Sequence, residues 1–92
     1  MPESGPAWEI IFERQAERML RRLPTDLLYR IDQAVMGLAQ DPRPPGCKKL
    51  RGYQDLYRLR VEDWRIIYAV RDARLIVLIL EIAPRGEAYR NR

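Results

Sequence analysis

The stretch LYRLRVEDWRIIYAV, residues 56–70, decides the fold because its apolar side chains recur at every second position. The alternating apolar residues are Tyr57, Leu59, Val61, Trp64, Ile66, Tyr68 and Val70. A period of two is typical of β-strands, and only Glu62–Asp63 interrupts it, so the stretch predicts a tight β-hairpin. Arg58, Arg60 and Arg65 occupy positions between the apolar residues. The pattern therefore raises the question of what three guanidinium groups do inside a sheet.

The residues before this hairpin predict one strand and two helices. Residues 7–12, AWEIIF, alternate and indicate a first strand. In residues 13–23 the apolar positions recur every three to four residues, which predicts an amphipathic helix that ends at Pro24. Thr25 is placed to cap a second helix through its hydroxyl, and the proline-rich residues 40–46 end that helix. The short connection predicts that the two helices form an antiparallel hairpin.

The residues after the hairpin predict one further strand. Residues 71–74, RDAR, indicate a turn, and residues 75–83, LIVLILEIA, are apolar on both phases, as in a central strand. The element order βααβββ predicts an α+β fold, in which a helical hairpin packs on one face of an antiparallel sheet of three to four strands. With neither a repeat nor a linker, residues 1–92 are expected to form a single domain.

Positive charge is concentrated in the second half of the chain. Residues 1–42 carry five Arg and seven acidic residues, a net charge of −2, whereas residues 43–92 carry twelve Lys or Arg and six acidic residues, a net charge of +6. Fifteen of the seventeen basic residues are Arg, whose planar guanidinium suits bidentate contacts to phosphate. A GC-rich genome also raises arginine content. The asymmetry is the more informative feature, and it points to nucleic acid.

The composition excludes several kinds of site. The chain has no histidine, which excludes histidine-based catalysis and ordinary zinc sites. Cys47 is the only cysteine, which excludes an internal disulfide and a cysteine metal cluster and fits a reducing cytosol. No apolar run approaches the ~20 residues of a membrane span, and the N-terminus does not resemble a signal peptide. The sequence therefore predicts a cytoplasmic protein without cofactor, metal or membrane contact.

Strand alternation predicts where the arginines point. If the helices cover the face that carries Leu59 and Tyr68, then Arg58, Arg60 and Arg65 lie on the opposite, open face. On the last strand the same alternation assigns to the core Ile76, Leu78, Leu80 and Ile82. To the open face it assigns Val77, Ile79, Glu81 and, if the strand continues, Arg85. This face is either a solvated surface with Arg–Glu pairs or an apolar groove with an arginine rim that accepts an anionic ligand or partner.

Three segments in a fixed order carry a resemblance to a known family. They are KKLRG at 48–52, LYRLRVEDWRIIYAV at 56–70 and EIAPRGEAYR at 81–90. Together with the βαα start, they resemble the RelE-type toxins of the RelE/ParE toxin–antitoxin superfamily. The resemblance implies a fold similar to that of small microbial ribonucleases and cleavage of mRNA in the ribosomal A site, which inhibits translation and arrests growth. It also implies a cognate antitoxin protein, the ribosome and mRNA as partners.

The resemblance also implies a set of catalytic residues. The family's basic pair, its arginine after an aromatic residue, its late arginine and its C-terminal tyrosine fall on Arg58, Arg60, Arg65, Arg85 and Tyr89. The RNA 2′-hydroxyl is expected to attack the adjacent phosphate, while guanidinium groups stabilise the charge of the transition state. Tyr89 is either the general base or a residue that stacks on a nucleobase or packs the C-terminus. Glu81 is either a second candidate base or an ion-pair partner of the arginines.

Other residues leave alternatives open. Lys48, Lys49 and Arg51 lie in the predicted loop before the hairpin, where they either bind RNA phosphates or are solvated. Pro84 replaces a histidine that many relatives carry, and Gly86 replaces a residue that is often basic. Two alternatives remain: a ParE-like DNA gyrase inhibitor without nuclease activity, and a degenerate toxin that acts as an antitoxin or repressor partner. The full basic set with a terminal tyrosine favours the nuclease over the gyrase inhibitor.

Overall fold

The chain folds into a sheet with a layer of helices on one side. The computed structural model describes residues 7–84. Its elements are β1 (Glu9–Phe12), α1 (Arg14–Leu20), α2 (Thr25–Gly37), β2 (Lys48–Lys49), β3 (Leu56–Val61), β4 (Trp64–Arg71), a 3₁₀ turn (Asp72–Arg74) and β5 (Ile76–Pro84). The α+β class and the order of the predicted helices and strands are confirmed.

The sheet is mixed and has five strands in the order β1-β5-β4-β3-β2. β1 runs parallel to β5, and all other neighbours are antiparallel. The expectation of an antiparallel sheet with three to four strands is therefore corrected in number and direction. The additional strand, β2, has only two residues, Lys48–Lys49, which are too few to show a period. Nothing local in residues 9–12 indicates which strand β1 joins, or in which direction.

β3 and β4 form the predicted hairpin. Val61 pairs with Trp64, so Glu62 and Asp63 alone make the turn. Glu62 adopts a left-handed backbone conformation, with φ at 57°, which is uncommon for a residue other than glycine. Its carboxylate forms an ion pair with Arg30 of α2. This pair ties the hairpin turn to the helical layer.

Both helices pack on the same face of the sheet and share one hydrophobic core with it. α1 packs against β5 and β1, whereas α2 packs against β3. The core side chains with no exposed surface are Ala16, Ile31, Val35, Leu38, Ile66, Tyr68, Val77, Ile79 and Ile82. α2 begins at Thr25 with Pro24 as its N-cap, so the predicted cap is wrong because Thr25 is itself helical. Within residues 7–84, neither helix has the length and apolar character of a membrane span.

β5 contains an irregularity that its sequence does not reveal. Ile67 pairs with Glu81, but the next residue of β4, Tyr68, pairs with Ile79. Leu80 is therefore an extra residue on β5. An extra residue reverses the assignment of side chains to faces on one side of it, because the alternation has a period of two.

This irregularity corrects the predicted faces of β5. Before it, the residues buried under the helices are Val77 and Ile79. The sequence expectation places Ile76 and Leu78 there, which is wrong because it counts one phase along the whole strand. After the irregularity, Ile82 lies in the core as predicted. A strand that is apolar on both phases gives no signal for such a shift.

The proline-rich loop before β2 is anchored by two tyrosines and an arginine. The Tyr68 hydroxyl donates a hydrogen bond to the Pro42 carbonyl at 2.8 Å, and burial raises the pKa of this phenol above its usual range. Arg43 donates from Nε to the Tyr57 hydroxyl at 2.9 Å and from Nη2 to Asp72 Oδ2 at 2.8 Å. The rings of Tyr57 and Tyr68 stack with centroids 5.8 Å apart. These contacts fix the chain that leads into β2.

Replacing Tyr68 with Phe should destabilise the protein more than the same change at exposed Tyr29. Tyr68→Phe leaves the Pro42 carbonyl, which belongs to a buried residue, without this donor, at a cost of about 1–3 kcal/mol. Tyr29→Phe is the matched control, because Tyr29 is 62% exposed and its hydroxyl accepts a hydrogen bond from exposed Gln33. Urea unfolding measures both free energies of unfolding, and equal losses would contradict the anchoring role.

The pairing of Arg43 with Asp72 should make stability depend on pH. The guanidinium lowers the pKa of the Asp72 carboxyl below its ordinary value of 3.8. A lowered pKa stabilises the folded state above the unfolded pKa, and this contribution is lost as the pH falls through the folded pKa. Melting temperatures of wild type and Asp72→Asn should therefore differ near neutral pH and converge in acid. A pH-independent difference for Asp72→Asn would count against the ion pair.

Candidate functional site

The sheet face opposite the helices, here called the outer face, carries a basic cluster. The register pairs Lys48 with Arg58, Arg58 with Ile67, and Arg60 with Arg65. Residues paired directly across antiparallel strands point to the same side of a sheet. Lys48, Arg58, Arg60 and Arg65 therefore share the outer face, and these four residues are the basic cluster. The predicted grouping of the three strand arginines on one face is confirmed.

The three arginines of the basic cluster differ in exposure. Arg60 is exposed, Arg58 is half-buried, and Arg65 is only 2% exposed. Burial of a guanidinium is costly unless polar neighbours answer its charge. Each of the three takes part in a polar, aromatic or electrostatic interaction. The cluster therefore combines a buried cation, whose position the surrounding sheet restricts, with one that extends into solvent.

Glu81 brings a negative charge to the edge of the basic cluster. It lies half-buried on the outer face, opposite Ile67 and diagonal to Arg65 in the pairing of β4 with β5. Diagonal neighbours across strands lie within reach of long side chains. One carboxylate lowers the repulsion among four cations without cancelling their charge. The cluster as a whole stays positive and can bind an anion.

An apolar strip continues the outer face beyond the basic cluster. Ala69 pairs with Leu78, Leu78 pairs with Ile11 of β1, and Ile76 lies one pair further along β5. Ile67 joins this strip to the arginines, and Ile11 is 37% exposed. The expected apolar floor is therefore present, but its β5 residues are the ones that the irregularity places there. Ile67 and Ala69 are buried, so Ile11, Ile76 and Leu78 form the accessible part of this strip.

The predicted RNA-binding residues before the hairpin are separated by the structure. Lys48 and Lys49 form β2 and not a loop, so adjacent side chains point to opposite faces. Lys48 lies on the outer face, whereas Lys49 pairs with Tyr57 and points to the helical side. Arg51 is exposed in the turn that follows. Only the register of a two-residue strand distinguishes the two lysines, and two residues carry no periodic signal.

Two predicted site residues, Arg85 and Tyr89, lie outside the described residues. The last strand ends at Pro84, which pairs with Trp64, and Ala83 pairs with Arg65. β5 therefore ends beside Arg65 of the basic cluster.

Among residues 7–84, no three Cys, Asp or Glu side chains are grouped so that they could hold a metal ion.

Comparison with known proteins shows the family to which this chain belongs. The model of the ParE toxin of the type II toxin–antitoxin system parDE matches residues 10–89. The RelE1 protein of Methanocaldococcus jannaschii is 31% identical over 75 residues, which cover 78% of this chain and 83% of that protein. The RelE toxin of Mycobacterium tuberculosis is 30% identical over 84 residues, which cover 90% of this chain and 87% of that protein.

A solved structure agrees with the sequence relatives. The archaeal RelE–RelB complex from Pyrococcus horikoshii matches with a TM-score of 0.78 and 30% identity, covering 87% of this chain and 97% of that one. The likeness thus extends over the helices and the mixed sheet. The family model spans both strands of the hairpin that carries the three arginines. The chain therefore belongs to the RelE/ParE family of toxins of type II toxin–antitoxin systems.

Proposed function

We propose that this toxin is a ribosome-dependent endoribonuclease that cleaves mRNA and so inhibits translation. The observation that carries the proposal is the register of β3 and β4, which gathers Arg58, Arg60 and Arg65 on one face, with Lys48 beside them. Guanidinium groups donate paired hydrogen bonds to phosphate oxygens, so this surface fits a phosphodiester. The likeness to RelE proteins supports the same assignment.

The proposed reaction uses the RNA's own hydroxyl as nucleophile. The 2′-oxygen bonds to the adjacent phosphorus, the bond from phosphorus to the 5′-oxygen breaks, and the products are a 2′,3′-cyclic phosphate and a 5′-hydroxyl. The 2′-hydroxyl gives its proton to a base, and the leaving 5′-oxygen takes one from an acid. Extra negative charge develops on the phosphorane, and a fixed donor that stabilises such charge is worth about 10²–10³ in rate. The basic cluster supplies donors of this kind.

The proton carriers must be other groups, because arginine stays protonated throughout the physiological pH range and is a poor acid and base. We propose Tyr89 as the base, because cations placed next to a phenol favour its phenolate, and Arg85 as a fourth guanidinium. Glu81 lies diagonal to Arg65 and is assigned to balancing charge. Weak acid–base groups make the substrate's geometry decisive, and the ribosome supplies that geometry.

The proposed protein partner is a cognate antitoxin that covers the outer face. The relative from Pyrococcus horikoshii was solved in complex with RelB. A segment with apolar residues for Ile11 and Leu78 and acidic residues for Arg60 complements the apolar strip and the basic cluster together. Such a segment blocks access of RNA to the arginines. The proposed site of action is the cytoplasm, where mRNA is translated.

A second candidate function is inhibition of DNA gyrase without nuclease activity. The match of residues 10–89 to the ParE toxin family favours this candidate. The basic cluster favours the nuclease, because ParE-type relatives usually lack the full basic set. Purified protein added to translating ribosomes should yield new mRNA 3′ ends at the A site and leave gyrase supercoiling unchanged. Gyrase inhibition with intact mRNA would overturn the nuclease, and neither activity would indicate a degenerate toxin.

Removing one guanidinium from the basic cluster should slow cleavage strongly without unfolding the protein. Arg60→Gln removes an exposed side chain at little cost to folding, and we expect cleavage on programmed ribosomes to slow about 10²–10³-fold. Arg65→Lys keeps the charge but loses the planar fork, so it should also slow cleavage. Single-turnover cleavage and growth arrest on expression measure both effects.

Arg74→Gln is the matched control for these variants. It removes the same charge from an exposed residue in the 3₁₀ turn between β4 and β5, away from the basic cluster. Cleavage by Arg74→Gln should stay within about twofold of wild type, as expected for a surface substitution away from the site. If Arg60→Gln and Arg65→Lys cleave as fast as this control while all three melt near the wild-type temperature, the catalytic assignment is wrong.

A further inference from the structure

A second basic surface lies on α1 and the turn that follows it. Arg14, Arg18, Arg21 and Arg22, here called the arginine stripe, are all exposed. Together with Glu17 they alone line a shallow depression in the surface. None of these arginines belongs to the basic cluster or to the segments that carry the family resemblance. The stripe is therefore a charged feature that the proposed reaction does not use.

The arginine stripe points away from the sheet. With 3.6 residues per turn, Arg14, Arg18 and Arg21 fall within an arc of about 60° around the helix. Ala16 is buried on the opposite side, where α1 packs against β5 and β1. Because α1 lies on the helical face of the sheet, the stripe and the basic cluster face opposite directions. A nucleotide held by the cluster therefore does not lie against the stripe.

The arrangement of the arginine stripe costs stability. Arg14 and Arg18 are like charges four residues apart on α1, a spacing that destabilises a helix, and Arg22 adds a further positive charge in the turn that follows. Glu17 pairs with Arg21 at 3.2 Å and answers part of this charge. α1 has only seven residues and no side-chain cap hydrogen bond, so local stabilisation does not offset the repulsion. A short helix that carries such repulsion is stabilised when an anion binds to it.

We propose that the arginine stripe binds the phosphate backbone of folded RNA, as a second contact separate from the strand to be cleaved. Residues four apart on a helix rise by about 6 Å, so successive guanidinium groups can reach different phosphates along a strand. Arginine donates paired hydrogen bonds to each. The identity of this RNA as ribosomal RNA rests on the proposed function. The toxin is then held between two RNA surfaces, with mRNA on the outer face and ribosomal RNA on α1.

The test uses the triple variant Arg14→Gln, Arg18→Gln, Arg22→Gln, which keeps the pair of Arg21 with Glu17. Its probes are salt-washed 30S subunits and a short single-stranded RNA with a 2′-O-methyl group at each nucleotide. For 30S subunits, the slope of log K against log salt should become shallower by about 2 to 3. Binding of the short RNA should keep its wild-type slope, because it occupies the basic cluster.

The matched control replaces the same three arginines with lysine. It keeps the charge, so its slope on 30S subunits should stay near that of wild type, whereas the slope of the glutamine variant should be shallower. Glutamine and arginine have similar helix propensity, so the glutamine variant should melt at or above the wild-type temperature once like charges are removed.

The remaining outcomes separate the second contact from the proposed function. An unchanged 30S slope in the glutamine variant overturns the second contact. An equal decrease of the slope for the short RNA overturns it as well, because it would place the arginine stripe on the path of the substrate strand. Weaker binding to the cognate antitoxin with unchanged 30S binding would show a protein-binding surface and overturn it too. Intact mRNA with wild-type protein contradicts the proposed nuclease alone, whatever the 30S slopes show.

Discussion

The pairing of β3 with β4 is the constraint on which the rest of the structure depends. Side chains alternate along each strand, so the register that buries Ile66 and Tyr68 under the helices also places Arg58, Arg60 and Arg65 on the outer face. A slip of one residue would bury guanidinium groups against the helices and expose the core. Folding and the candidate site therefore have the same determinant: the core fixes the register, and the register assembles the cluster.

The cost of this arrangement is electrostatic. The four cations of the basic cluster lie on the outer face with Glu81, and the most buried of them, Arg65, is 2% exposed. The arginine stripe repeats the pattern on α1, where Glu17 answers part of the charge. A small domain has little stability to spare, so an anionic ligand or an acidic partner that covers either surface should stabilise the folded state. In the proposed function, the same positive charges bind both the RNA substrate and the antitoxin.

The sequence predicts correctly the strands in which apolar and polar residues alternate. It does not predict which face a side chain takes where both alternating positions are apolar or where the strand is too short to show a period. In residues 57–61 of the hairpin, apolar residues occupy one phase and arginines the other, so the side on which Arg58 and Arg60 lie can be read directly. In β5 both phases are apolar, and the extra residue Leu80 that exchanges the two faces leaves no trace in composition. The face to which Lys48 points depends on the register of a two-residue strand. The hydrogen bond from Arg43 to Tyr57 joins residues that are 14 positions apart in the chain. These features depend on pairing between residues distant in the chain, which the periodicity of a short segment does not reveal.

The most direct test of the account is to observe the arginine side chains while RNA binds. Nuclear magnetic resonance of the Nε–Hε groups, during titration with a 2′-O-methyl RNA that cannot be cleaved, reports each guanidinium separately. The signals of Arg58, Arg60 and Arg65 should shift together with one dissociation constant, while that of Arg74 stays in place. RNA that binds with comparable affinity and leaves those three signals unchanged would contradict the account.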